Sequence, residues 1–201
     1  MASDKPSDIP CPFLRALDRD GLLGEHVPIG PFVDLALTAF AATGATALRL
    51  RVGLPAVAAV SNGLGSAPRD IHEGFRPWEL RGGPLDKHGG GSRILSQTGE
   101  FDEVEFQRFE SFGALYGDPP ELGWRLPDIE RYMDANQARN RAEGRDSGFV
   151  ERHVLMEAEL PTLLLLLAKG EDDGRYMAAD EVRALYRDSV FPERVEARIR
   201  A

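Results

Sequence analysis

Apolar residues recur at helical spacing along most of the chain, and this pattern predicts a mainly helical protein. The stretch IGPFVDLALTAFAAT places Pro31 at a helix start and spaces its apolar residues three or four positions apart. Similar spacing follows over 45–65, 101–117, 126–142, 148–168, 178–189 and 192–200. Few segments alternate with period two and runs of β-branched residues are scarce, so we predict an all-α, multi-helix bundle.

Two of these segments give specific expectations about the core. We expect the Ala-rich stretch 45–65 to be helical and largely buried, with breaks at Gly53 and Pro55. On the segment FDEVEFQRFESF, helical spacing predicts a core-facing side made of Phe101, Val104, Phe109 and Phe112. Between these segments, residues 66–92 are polar and rich in Gly and Pro, which indicates loops where a site could be built.

Length, charge and the longest apolar run indicate the size of the core and exclude some kinds of partner. A chain of 201 residues with 42% hydrophobic content can bury a sizeable core, and we predict one domain over 1–201 with residues 1–8 disordered. Its net charge of −9 would repel phosphate backbones, which argues against nucleic acid as a partner. The longest apolar run, LPTLLLLLA, is half the length of a membrane span, and no signal peptide is seen. We therefore expect an intracellular protein without a membrane span, and oligomeric state is left open.

The single cysteine, Cys11, lies between two prolines in the stretch PCPFLRAL. Proline favours the first position inside a helix, so Cys11 is predicted to be the N-cap. The N–H groups of Phe13 and Leu14 would then point at its sulfur, and the helix dipole would favour a thiolate. A lone cysteine is more often a small buried apolar residue, and this alternative stays open on local grounds.

A carboxylate interrupts an apolar stripe in the stretch GFVERHVLMEAELPTLLLLLAKG. Helical spacing puts Val150, His153, Val154, Glu157 and Leu164 on one face. Pro161 clashes with the carbonyl of Glu157, which predicts a kink there. An apolar pocket raises the pKa of a glutamate towards neutrality, as a proton shuttle needs. Alternatively, His153 and Glu157 form an ion pair at the rim of the core, or Glu157 turns to solvent as Glu159 does.

Taken in order, these segments resemble the fungal chloroperoxidase and unspecific peroxygenase family of haem-thiolate proteins. PCPFLRALDRDGLLG is similar to the Pro-Cys-Pro opening of that family, and LDKHGGGSR is similar to its central loop. MEAELP matches its catalytic-acid motif, and KGEDDGRYMAADEVRALYRDSVFPE is similar to its closing segment. The resemblance covers most of the chain.

The resemblance implies a chloroperoxidase-like fold that encloses haem b, with Cys11 as the axial ligand of the iron. It implies that Glu157 moves the protons of hydrogen peroxide and that His153 orients or tunes Glu157. Val150 and Val154, with Leu160 and Leu164, would help to form the distal wall. The implied activity is a peroxidase or peroxygenase that uses hydrogen peroxide to oxidise or oxygenate small organic substrates, with halogenation as a side activity.

The chain departs from the family at two positions. Val150 stands where some members carry an arginine that supports the acid, and Gly90 stands where a serine completes a metal site. Asp86 is therefore the only side chain carried over to a Mg²⁺ or Mn²⁺ site near a haem propionate. His88 lies one residue past the histidine of the family, and a small loop shift could bring it to Glu157.

Two other functions are compatible with the sequence. Val150 and Gly90 favour a non-catalytic helical protein of the same fold that binds haem or a lipid-like ligand. The acidic turn KGEDDGRYMAADE suggests a calcium-binding module, but counting back from Gly174 puts Lys169 at the first ligand position, where the motif needs Asp. A solvated acidic turn is the better interpretation of that stretch.

Overall fold

The computed structural model describes residues 9–60, 67–80, 92–96, 99–144, 159–171 and 174–201. The chain forms two compact units, one made of Met1–Asp86 with Phe191–Ala201 and the other of Lys87–Val190. The described part is mostly helical, which confirms the predicted helical character. The prediction of a single haem-thiolate domain over 1–201 stays a prediction.

Helices dominate both units, and one unit adds a small sheet. The α-helices are α1 (Pro12–Arg19), α2 (Ile29–Ala39), α3 (Gly44–Val60), α4 (Ala67–Glu73), α5 (Glu103–Glu110), α6 (Leu126–Ala142), α7 (Glu159–Leu167), α8 (Ala179–Arg183) and α9 (Glu193–Arg200). The strands are β1 (Ala114–Tyr116), β2 (Glu121–Trp124) and β3 (Met177–Ala178). A 3₁₀ turn spans Pro77–Leu80, and a π-helical turn spans Ala184–Asp188.

Aromatic side chains form the core of the first unit. Phe13 of α1 stacks on Phe40 with ring centroids 5.3 Å apart, and it also contacts Phe32 and Phe191. Phe75 meets Phe32 edge-on at 5.1 Å. The backbones of Val27 and Phe75 pair in an isolated antiparallel bridge, so the chain on either side of α2 to α4 is tied together.

An antiparallel sheet and α5 enclose the core of the second unit. The strands lie in the order β1, β2, β3, with Leu115 opposite Leu122 and Trp124 opposite Met177. Trp124 is fully buried and stacks on Phe109 with ring centroids 3.9 Å apart. Its indole N–H donates to the carbonyl oxygen of Phe109 at 3.0 Å, so the one polar group of the buried Trp124 side chain is hydrogen-bonded.

The sheet departs from the all-α prediction, the core position predicted for Val104 is wrong, and the burial predicted for 45–65 is wrong over 46–55, where the structure describes the side chains. Val104 is 73% exposed, and Phe106 takes the buried position on α5 instead. Helix α3 continues through Gly53 and Pro55 instead of breaking there. Its residues Leu48 and Val52 are 64% and 68% exposed. Pro55 has no backbone N–H, so it cannot donate to the carbonyl of Arg51 one turn earlier in α3. Because Arg51 is exposed, that carbonyl can bind water instead.

Helix starts and ends depart from the predictions in smaller ways. Helix α2 begins at Ile29, two residues before the predicted start at Pro31. The predicted helix over 178–189 divides into α8 and the π-helical turn, which ends at Ser189 in a left-handed conformation. Across the described ranges, no helix combines the length and apolar character that crossing a membrane demands.

Candidate functional site

Cys11 is the N-cap of α1, as predicted. Its backbone is extended, with φ −88° and ψ 121°, and Pro12 is the first helical residue. The N–H of Arg15 donates to the carbonyl oxygen of Cys11 at 3.0 Å and closes the first turn. The sulfur accepts no capping hydrogen bond from α1, contrary to the predicted donation by Phe13 and Leu14. The dipole of α1 still favours a thiolate at this position.

The helix that carries Cys11 is held in place by burial and by contacts between aromatic rings. Its side chain is half-buried, while every residue from Pro12 to Leu17 in α1 is buried. The first turn of α1 contains no acidic residue that would oppose a negative sulfur. Since Phe13 is held by three other rings, the helix that presents Cys11 is fixed in the core of the first unit.

A charged cluster around Asp70 is a second feature of the first unit. Asp70 is 0% exposed, and the guanidinium of Arg69 donates to its Oδ1 through Nε at 3.0 Å and Nη2 at 2.8 Å. Arg69 also pairs with Glu79, which accepts from Arg76 at 2.9 Å. Arg76 Nη2 lies 3.2 Å from Nε2 of His26. Two arginines thus balance two carboxylates, as buried charge requires.

Hydrogen bonds within this cluster favour the ionised forms of Glu79 and Arg69. Burial raises the pKa of Glu79, but hydrogen bonds from Arg76 and Arg69 outweigh burial and leave that pKa below its ordinary value. The hydrogen bond to Asp70 is the main reason that the pKa of Arg69 is raised. Asp70 Oδ2 and His26 Nδ1 are buried polar atoms without a hydrogen-bond partner.

Several predicted site residues lie outside the described residues. These are the proposed acid Glu157 and its neighbour His153, the wall residues Val150 and Val154, and the loop residues Asp86, His88 and Gly90. Their predicted roles stay predictions. Pro161 lies in the first described turn of α7, and the predicted kink at Glu157 falls outside the described part. Leu160 is buried and Leu164 is half-buried.

The segment after the predicted central loop is anchored on α6. The Ser92 carbonyl accepts a hydrogen bond from the hydroxyl of Tyr132, a fully buried residue. Arg93 has a left-handed backbone with φ 58°. Its guanidinium donates to Asn140 and, at 3.0 Å, to Glu143. Because a left-handed arginine is unfavourable, these side-chain contacts compensate for its backbone conformation.

Polar contacts continue along the same face of α6 towards α5. Arg139 donates to both carboxylate oxygens of Glu105, at 2.7 and 2.8 Å. Arg108 donates to the buried Asn136. The hydrogen bond with Glu105 is the main cause of the raised pKa of Arg139. Such paired, hydrogen-bonded charges fix α5 against α6.

Two tyrosines and two carboxylates meet beside the β1–β2 hairpin. The hydroxyl of Tyr116 donates to Oδ2 of Asp128, and the hydroxyl of Tyr176 donates to Oε1 of Glu121 at 2.8 Å. The two rings lie 5.6 Å apart, centroid to centroid. Burial, followed by the hydrogen bond to the carboxylate, raises the pKa of each phenol, so both hold their protons at neutral pH.

Each carboxylate of this group is also paired with a cation. Arg131 Nη2 lies 2.6 Å from Oδ1 of Asp128, and Lys169 Nζ lies 2.7 Å from Oε1 of Glu121. Burial lowers the pKa of Lys169, but its hydrogen bond to Glu121 and the charges of Glu181 and Glu121 leave that pKa raised. Each carboxylate therefore accepts a hydrogen bond from a cation as well as from a phenol.

Sequence reasoning did not single out the Asp70 cluster or the tyrosine pair. Arg69 and Asp70 are neighbours in an ordinary polar stretch, and Glu121 and Tyr176 are 55 positions apart. No local spacing signals such pairs, since they depend on how the chain folds back. In the acidic turn, the backbones of Lys169 and Tyr176 pair, and Glu171 is exposed, which agrees with a solvated turn.

The chain was also compared with known proteins. Searches against protein-family models, curated proteins and solved structures found no match to the chain. Within the described ranges, no three His, Cys, Asp or Glu side chains are grouped so that they could hold a metal ion. The functional assignment therefore depends on the sequence motifs together with the environment of Cys11.

Proposed function

We propose that the chain is a haem-thiolate peroxidase or peroxygenase of the chloroperoxidase-like type, which oxidises or oxygenates small organic molecules with hydrogen peroxide. The observation that carries the proposal is Cys11 at the N-terminus of α1, between Pro10 and Pro12 and fixed by a buried helix. The order of the four sequence motifs supports it. An intracellular location is part of the proposal.

The donor at Cys11 fits the axial ligand that such a haem needs. A thiolate is a soft, electron-rich ligand, and a helix N-terminus stabilises its negative charge. Cys11 is half-buried, so its side chain is neither sealed in the core nor fully solvated. When bound, a thiolate-ligated haem supplies the chemistry that favours cleavage of the O–O bond of a peroxide.

The proposed proton chemistry belongs to Glu157. Its carboxylate would take a proton from hydrogen peroxide and return it to the departing oxygen, which leaves as water. His153, one helical turn earlier in the sequence, would orient the carboxylate or tune its pKa. Val150 and Val154 would exclude water beside it, and Asp86 would provide a ligand for Mg²⁺ or Mn²⁺ near a propionate.

The absorption spectrum of the reduced carbon monoxide complex tests this assignment. Haem-reconstituted wild-type protein should show a Soret band strongly shifted to the red, and Cys11→Ala should lose that shift. Cys11→His is the matched control, because an imidazole ligand should keep the haem bound without the red shift. Circular dichroism should show that both variants remain helical. No haem uptake by the wild-type protein would refute the proposal.

A non-catalytic haem-binding or lipid-binding protein is the second candidate, and Val150 in place of a supporting arginine favours it. Glu157→Gln separates the two candidates, because glutamine keeps the shape of the side chain and removes the proton carrier. An enzyme of the proposed kind should lose most of its peroxide turnover while its haem spectrum stays unchanged. Undiminished turnover would refute Glu157 as the acid, and a wild-type protein without turnover would favour the second candidate.

A further inference from the structure

The partners of the phenol protons distinguish Tyr116 and Tyr176 from Tyr132 in the second unit. Oxidation of a phenol by one electron makes it a strong acid, so the reaction proceeds readily when a hydrogen-bonded base takes the proton. Tyr116 and Tyr176 donate to the carboxylates of Asp128 and Glu121, which can accept a proton. Tyr132 donates its single proton to the backbone carbonyl of Ser92, which is not a useful base.

Contacts around the pair hold both rings in place. Tyr176 is 7% exposed and packs over the hairpin so closely that a Cβ on Gly117 would collide with its hydroxyl oxygen. Tyr116 is half-buried, and the guanidinium of Arg125 lies 4.4 Å from its ring centroid. The pair therefore joins a buried phenol to one that reaches solvent, with the rings in contact.

We propose that Tyr116 and Tyr176 form a site of one-electron oxidation. A strong one-electron oxidant removes an electron from either phenol, its O–H proton passes to Asp128 or Glu121, and a neutral tyrosyl radical remains. The ring contact lets the radical move between the two residues. An external one-electron reductant then reaches half-buried Tyr116, and its electron, with the proton returned by the carboxylate, restores the phenol.

The supply of the oxidant rests on the proposed function, because peroxide-using haem proteins generate strong oxidants. The tyrosine chemistry itself requires only the described residues of the second unit. It can therefore be tested on the full chain without haem, so that failure of the proposed function would leave the result of this test unchanged.

The test uses ruthenium(III) tris-bipyridine, generated by a light flash with a cobalt(III) quencher, as the oxidant. Freeze-trapped wild-type protein should give a tyrosyl radical signal by electron paramagnetic resonance. The double variant Tyr116→Phe/Tyr176→Phe should lose most of that signal, since the rings remain but the phenols are gone. Tyr132→Phe is the matched control and should retain it. A double variant with the wild-type yield would overturn the proposal.

The role of the carboxylates has its own readout. Glu121→Gln keeps a hydrogen-bond acceptor beside Tyr176 but removes the base. In a Tyr116→Phe background, it should slow radical formation and change the solvent deuterium isotope effect of that step. An unchanged rate and isotope effect would overturn proton transfer to the carboxylate. Because Glu121 is only half-buried, this variant should keep the fold, and thermal unfolding checks that it does.

Discussion

At the scale of single residues, burial separates two arginine–aspartate pairs that have the same spacing. Arg69–Asp70 and Arg187–Asp188 are both sequence neighbours, with N–O distances of 2.8 and 3.0 Å. The side chains of the first pair are 33% and 0% exposed, and those of the second are 52% and 44% exposed. An unpaired charge is costly only where water is excluded, so the first pair should matter more to stability.

We predict that Arg69→Met lowers the free energy of unfolding far more than Arg187→Met does. The first substitution strands the carboxylate of Asp70 in the core, whereas the second exposes Asp188 to water, where its effect should be small. Urea unfolding of both variants measures the difference. The double variant Arg69→Met/Asp70→Asn should recover part of the loss because it removes the stranded charge. Equal losses in the two single variants would contradict this account.

At the scale of elements, helix α5 offers two apolar residues with opposite environments. Phe106 is 0% exposed and contacts the rings of Phe109 and Trp124, whereas Val104 is 73% exposed. Phe106→Ala should cost about 3–5 kcal/mol, as for other buried aromatic residues. Val104→Ala should change the free energy of unfolding by no more than about 0.5 kcal/mol. A larger loss from Val104→Ala in urea unfolding would contradict the orientation of α5.

The length of an element decided whether the sequence pattern could predict it. Helix α6 runs from Leu126 to Ala142 as expected, because its periodicity persists over several turns. Strands β1 and β2 contain three and four residues, too few for alternation to be distinguished from chance. On α5, three-and-four spacing from Phe101 favoured Val104, but tertiary packing turned Phe106 inward.

At the scale of the whole molecule, distant contacts limited what could be predicted. Local physics placed Cys11 at an N-cap, and the structure confirms that position. The pairs formed by Arg93 with Glu143 and by Arg183 with Glu103 join residues 50 and 80 positions apart. Charged residues on polar helix faces give no local sign of their partners, so such contacts emerge only from the fold.

We expect two carboxylates, Glu79 in the first unit and Glu103 in the second, to make stability depend on pH in acid. Hydrogen bonds from Arg183 are the main cause of the lowered pKa of Glu103, and arginines also lower that of Glu79 despite its burial. A lowered folded-state pKa stabilises the fold above the unfolded-state pKa, and this contribution disappears as pH falls through the folded-state pKa.

We therefore predict that the free energy of unfolding, measured in urea, falls as pH decreases below about 4.5. Glu79→Gln should flatten that decline, and Glu103→Gln should flatten it less because the Glu103 side chain is 48% exposed and water screens its ion pair; Glu193→Gln is the control substitution. Unchanged slopes in the first two variants would show that other groups control acid unfolding.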